Sequence, residues 1–367
     1  MQRRQLLFAS AFALRAARGQ TDKPILTAVI GTGNRGSHLL QGVLEQTGVK
    51  AAALCDIKPD RLDKAASAAV RDNPATYADW RRILDRKDID AVFIATPPHL
   101  HSEMAVAALN AGKHVYCEKP VGVTAAQVRA LVEAGRNSKK VFVAGQQLRS
   151  YRLINEVVRQ IRDGVIGEVL MVKAQRHAPR DLDHEGSSGD WYFDVTKSGG
   201  YLIEQSVHNL DLCNWVIGAH PLRANGFGGT LLYKNDPPGR TIFDCGTISY
   251  EYPGGVKMSF TQNVFHPNGM PAGGQYVHVF GAKGAIDLLY SATMYPLERG
   301  AKPVVLVEKQ REEQHGHITA FYNSIRNGTP SPAGIRIGAE AALTAILGHE
   351  AMAGAKTVNW SDLGVEI

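Results

Sequence analysis

Three groups of residues in this chain have types and spacings that could do chemistry. The first is Gly31-Thr32-Gly33-Asn34-Arg35-Gly36, with Asp56 twenty residues beyond its last glycine. Among 37 glycines a Gly-x-Gly-x-x-Gly match means little alone. Its setting gives it weight, because an apolar run (Ile25–Ile30) precedes it, a helical pattern (Ser37–Glu45) follows, and the acid ends the next apolar run. The first glycine permits a tight turn, the second lets backbone approach a pyrophosphate, the third lets helix pack on strand, and the helix N-terminus opening at Asn34 and Arg35 faces the phosphates. Asp56 can accept hydrogen bonds from ribose hydroxyls and repel a 2′-phosphate, so NAD is expected over NADP; Lys58 and Arg61 are the nearby cations that could accommodate that phosphate.

The second group is Ala95-Thr96-Pro97-Pro98-His99-Leu100-His101, between an apolar run and a helix. This places it on the carboxyl edge of a sheet, with Thr96, Pro97 and His99 lining a cofactor. His99 and His101 have no third ligand in view, so they read as packing or capping residues and no metal is expected. The third group is Lys119, just past the run His114–Cys117, with Glu204 and His208, four apart and expected to share one helix face. Such titratable groups can move a proton if a substrate hydroxyl comes within hydrogen-bond reach.

These residues need a scaffold. The chain has 367 residues, 44% hydrophobic and 21% charged, enough for two cores. From residue 25, apolar runs alternate with helical patterns: Val49–Cys55 then Asp60–Val70, Ala91–Ala95 then Leu100–Asn110, His114–Cys117 then Ala125–Arg136, and Val141–Ala144. That alternation predicts parallel βαβ units in a doubly wound Rossmann sheet over 21–145. A helix near Tyr151–Arg162 follows. Then come Val169–Ala174, Gly226–Tyr233, Thr241–Tyr250, Val256–Phe260, Tyr276–Phe280 and Ala285–Leu289, with hairpin spacing. These predict an α/β second domain over 146–367 with a mainly antiparallel sheet open on one face, closed by helices near Ile318–Arg326 and Ala339–Ala353 that pack back.

At Ala111-Gly112-Lys113-His114-Val115-Tyr116-Cys117-Glu118-Lys119-Pro120 the chain resembles the Gfo/Idh/MocA family of glucose-fructose oxidoreductase and inositol dehydrogenase relatives. The glycine loop, the Thr-Pro-Pro-x-x-His loop, Gly199-Gly200, His208 and Asp211 agree with it. The resemblance implies a Rossmann domain followed by an α/β domain whose large open sheet serves oligomer contacts, hence a homodimer or tetramer. It implies NAD, with Glu118 and Lys119 at the cofactor, and a small carbohydrate as partner; a location outside the cytoplasm, where free NAD is scarce, would require that cofactor to be tightly bound. Oxidising a carbinol sends a hydride to the nicotinamide and a proton to a base. Lys119 and His208 are the expected proton-transfer pair, with Glu204 orienting His208 or gripping a substrate hydroxyl. Family members more often have aspartate where Glu204 stands. Gln146, Gln147, Arg149, Trp191, Tyr192 and Asp194 are residue types that stack on sugars or bond hydroxyls.

The leading expectation is thus an NAD(P)-dependent carbohydrate oxidoreductase. The alternative is a glycosidase that oxidises a sugar hydroxyl to a ketone, eliminates the aglycone from the acidified neighbour, adds water and returns the hydride, without the paired carboxylates of ordinary glycosidases. A non-enzymatic sugar or dinucleotide sensor comes third.

Residues 1–20 read as an export signal: Arg3-Arg4, then an apolar run from Leu6 to Leu14 too short to span a bilayer. Paired arginines point to twin-arginine export to the periplasm; a basic tail on a cytoplasmic protein is the alternative. Arg3, Arg4, Arg15 and Arg18 supply four of the six net positive charges, so no nucleic-acid partner is implied. Cys55, Cys117, Cys213 and Cys245 show no disulfide or zinc spacing and read as small buried apolar residues. The polar loop with His177, Asp181, Asp183 and His184 reads as solvated, and His315 and His317 as capping or flanking a helix.

Overall fold

The computed structural model describes residues 23–179, 191–270, 273–308 and 311–367. The expected leader, and Asp181, Asp183 and His184, lie outside the described residues. The first sheet is built from β1 (Ile25–Ile30), β2 (Val49–Cys55), β3 (Ala75–Tyr77), β4 (Ala91–Ile94), β5 (His114–Cys117) and β6 (Phe142–Ala144). Their order is β3-β2-β1-β4-β5-β6, and every pairing is parallel. Helices α1 (Asn34–Leu44), α2 (Pro59–Ala68), α3 (Arg81–Leu84), α4 (His101–Asn110) and α5 (Ala125–Arg136) connect them. Strand β4 is buried at all four positions, as expected of a parallel strand covered on both faces. The chain order reverses between β1 and β4, and the crevice beyond their carboxyl ends is where such sheets take ligands.

After α6 (Arg152–Arg162) come β7 (Val169–His177), α7 (Val195–Ser198), α8 (Tyr201–Glu204) and α9 (Val207–Ile217). Strands β8 (Arg223–Gly229), β9 (Cys245–Glu251), β10 (Lys257–Asn263), β11 (Gln275–Gly281), β12 (Gly284–Asp287), β13 (Thr293–Pro296), β14 (Val304–Val305) and β15 (Thr357–Asn359) complete a nine-stranded sheet, ordered β14-β13-β12-β11-β7-β10-β9-β8-β15. It is mostly antiparallel, but β7 and β10 pair in parallel. One face buries Val172, Ala174, Ile248, Tyr250, Met258 and Phe260; the other leaves Lys173, Thr247, Ser249 and Phe280 exposed.

The expected strand through Tyr233 instead ends at Gly229. The buried Asp244 carboxylate accepts the backbone N–H groups of Leu231, Leu232 and Tyr233 and bends that segment off the sheet. Helices α10 (Gly316–Asn327) and α11 (Ile335–Gly354) return to the first sheet. Tyr322 Oη lies 2.9 Å from Thr27 Oγ1, and Phe321 packs edge-on against Phe93 with ring centroids 5.2 Å apart. Cys55, Cys117 and Cys213 are buried as expected, whereas Cys245 is only partly so. Among the described residues no helix is long and apolar enough to cross a membrane.

Candidate active site

A cavity of about 840 Å³ opens at the carboxyl edge of the first sheet and runs on to α8 and α9. Its lining joins Gly31, Gly33, Asn34 and Asp56 at one end to Lys119, Glu204 and His208 at the other, and Arg35, Thr96, Pro97 and His99 belong to the same wall.

At the first end the backbone is bare for a reason. Gly31 has φ +84°, and a Cβ there would stand 2.6 Å from the Ala95 carbonyl oxygen. A Cβ on Gly36 would overlap the Gly31 carbonyl. The loop therefore presents main chain and the N-terminus of α1, an 11-residue helix whose first N–H groups have no partner within the helix. Asp56 is held from behind: Oδ2 accepts Thr32 N–H at 2.7 Å and Oδ1 accepts Lys58 N–H at 2.9 Å. A carboxylate has further lone pairs, so Asp56 can still accept from ribose hydroxyls. The bare loop, helix end and acceptor fit a dinucleotide.

At the other end Lys119 Nζ donates to Glu204 Oε1 at 2.9 Å and also to the Glu204 carbonyl oxygen. That carbonyl is the one His208 N–H would use in an unbroken helix. Ser206 N–H turns instead to Tyr201 O, and the chain forms two helices divided at Gln205 and Ser206. This corrects the expectation that Glu204 and His208 share one helix face. Glu204 does not orient His208; its other oxygen accepts from Gln205 Nε2.

His208 Nδ1 faces Gln146 Oε1 at 3.1 Å. That oxygen only accepts, so Nδ1 carries the proton and Nε2 keeps its lone pair on a ring that lines the cavity. Burial, then the charges of Lys119, Arg176 and Arg35, push the imidazole well below its ordinary range and hold it neutral. The acid limb of kcat/KM is therefore expected far below pH 6.5. Gln146→Leu should lower activity about tenfold, since it removes one hydrogen bond. Gln146→Glu places a carboxylate against Nδ1–H, favours imidazolium and should move the limb to higher pH. A limb unmoved in the glutamate variant would contradict this assignment.

Glu118 turns toward Arg35, 2.7 Å away, and accepts Lys119 N–H at 3.2 Å. Burial opposes its charge, yet Arg35 and then Lys119 outweigh burial and hold the carboxyl below its usual range. Gln147 accepts from Arg35 and lines the cavity. Trp191 and Tyr192 also line it, their rings 5.9 Å apart and edge-on.

Arg149 does not reach the cavity, which corrects its reading as a substrate contact. Its guanidinium makes two bonds to Asp211, at 2.8 and 2.9 Å, and stacks on Trp215. His101 packs as expected, spanning Thr96 O and Pro120 O at 2.7 Å each and tying two cavity loops together. His317 does more than flank its helix. It is buried, and Nε2 lies 3.3 Å from Arg35 Nη2, with the ring pushed down to about 4 by burial and then by Arg35. Gln146, expected to bond a substrate hydroxyl, instead meets His208 and is not part of the cavity wall. His317 was not legible as a site residue because it meets Arg35 only through the fold.

Residues 25–146 match a family model described as "Oxidoreductase family, NAD-binding Rossmann fold", and residues 154–287 match "GFO/IDH/MocA C-terminal domain". The chain is 22% identical to a myo-inositol 2-dehydrogenase of Thermotoga maritima, over 82% of this chain and 88% of that protein. It is 30% identical to a "Glycosyl hydrolase family 109 protein" of Saccharopolyspora erythraea, over 48% of this chain and 42% of that protein. Among solved structures, a levoglucosan dehydrogenase in complex with NADH and levoglucosan superposes with a TM-score of 0.77 at 20% identity, covering 92% of this chain and 99% of that one.

Proposed function

Because the chain belongs to the GFO/IDH/MocA oxidoreductase family, we propose that it transfers a hydride between a sugar or polyol carbinol and a tightly bound nicotinamide dinucleotide, NAD rather than NADP. The observation that carries this reading is the single cavity joining the glycine loop and Asp56 to Lys119 and His208. NAD, when bound, supplies the hydride acceptor. Asp56 holds the adenosine ribose, and the N-terminus of α1 holds the phosphates. Lys119, already donating to a carboxylate, acts as an ammonium that hydrogen-bonds the substrate oxygen. His208 Nε2 takes the hydroxyl proton as the C–H hydride leaves and the carbonyl forms, and returns it in the reverse direction. Glu204 holds Lys119 in place, and Trp191 offers an apolar face to the sugar ring.

The match to the glycosyl hydrolase favours a second reading, in which the same residues run transient oxidation, elimination, hydration and re-reduction. Arg3-Arg4 and the apolar run after it support export of a folded, loaded protein to the periplasm, where the cofactor would be resident. The exposed side of the nine-stranded sheet supports assembly with further copies of the chain.

The test is direct. The purified protein should carry NAD(H), and a panel of sugars and cyclitols should raise the reduced-nicotinamide absorbance. Aglycone release from aryl glycosides without net NADH would establish the second reading instead. Bound cofactor with neither signal would overturn both and leave a sensor.

A further inference from the structure

Arg61 is a cation without a counter-ion, poised over the glycine loop. It is the third residue of α2, half-buried and part of the cavity wall. Among the described residues it forms neither a hydrogen bond nor an ion pair. Asp56, a carboxylate on the same cavity wall, accepts from Thr32 and Lys58. The guanidinium lies against Gly33: a Cβ there would stand 2.8 Å from Arg61 Nη1 and 3.4 Å from Cζ. Gly33 has φ −66°, a value open to other residues, so what a side chain there would meet is the Arg61 guanidinium and not backbone strain.

The guanidinium rests on the residue that caps α1, so its planar donor fork, whose geometry matches phosphate, lies beside the N–H groups that open that helix. We infer that Arg61, together with the N–H groups that open α1, clamps the dinucleotide pyrophosphate and sets how slowly the cofactor leaves. The inference rests on the proposed dinucleotide site. It assigns Arg61 to the pyrophosphate, which both NADH and NADPH carry, rather than to the 2′-phosphate of NADPH. The Asp56 carboxylate beside the ribose position makes a 2′-phosphate the poorer ligand.

The experiment titrates wild-type protein, Arg61→Ala and Arg61→Lys with NADH and with NADPH by nicotinamide fluorescence, and measures NADH release by dilution into excess NAD. Circular dichroism checks that each variant is folded. Arg61→Ala should weaken both nucleotides about 10- to 100-fold, the worth of a charge-assisted hydrogen bond, with most of the change in the release rate. Arg61→Lys should recover part of the loss, because charge returns without the fork. Raising salt should weaken wild type more than Arg61→Ala. A loss confined to NADPH would overturn the assignment in favour of the 2′-phosphate, and equal affinity in wild type and Arg61→Ala would overturn the clamp while leaving the dinucleotide site intact. A wild-type protein that binds neither nucleotide would overturn the proposed function and the clamp together.

Discussion

Replacing Lys119 with methionine should lower kcat about 10²- to 10³-fold, the range for loss of a donor positioned on the reacting oxygen, while NADH still binds. Two bonds place the ammonium: Nζ reaches both the Glu204 carboxylate, at 2.9 Å, and the Glu204 main-chain oxygen. Both side chains are nearly enclosed, with 13% and 11% of their surface exposed. Methionine keeps the length and apolar stem but offers the substrate oxygen no donor. It also leaves Glu204 charged with only the Gln205 amide beside it, so the folded state should weaken. Lys119→Met combined with Glu204→Gln should restore stability without restoring turnover, separating the catalytic effect from the structural one. NADH binding survives because the glycine loop and Asp56 lie at the far end of the cavity. Turnover retained in the single variant would show that the substrate oxygen does not rely on the Lys119 donor.

A second substitution should be as costly, but to stability. Arg149→Met leaves the Asp211 carboxylate, 2% exposed, without its partner. Burial pushes that carboxyl up from its ordinary range, and the Arg149 charge is what opposes it. Breaking one side of such a pair costs about 3–5 kcal/mol, since a charge is left buried. The cation–π contact with Trp215, 4.6 Å from guanidinium to ring centroid, is lost as well. Replacing both partners, Arg149→Met with Asp211→Leu, should recover most of the loss. Urea unfolding of the two variants measures both. A variant as stable as wild type but raised in KM would return Arg149 to the substrate site.

The contrast between these two residues shows what was legible in the chain. The glycine loop, Asp56 and Lys119 follow largely buried strands, so mainly apolar runs mark them, and β1, β2, β5 and α5 begin and end where expected. Arg149 follows such a run too, yet its partner lies 62 residues away on α9, and no local pattern distinguishes a buried pair from a substrate contact. The same holds for His317, which meets Arg35 across 282 residues. The divide between Glu204 and His208 carries no glycine or proline; it falls where Lys119 takes a helix carbonyl. Edge strands β3, β14 and β15 are short and partly or wholly exposed, so they lack the hydrophobic signature of the central strands.

The central claim is that one cavity holds both the dinucleotide and the Lys119 donor with its His208 base. A single-turnover experiment tests it most directly: wild type and Lys119→Met, each loaded with NAD, are mixed with the carbohydrate that responds in the screen, and the reduced-nicotinamide absorbance is followed. One equivalent of NADH forming on wild type, and none on a Lys119→Met protein that still binds NADH, is the predicted result. Equal bursts from the two proteins, or a wild type that binds no NADH, would contradict it.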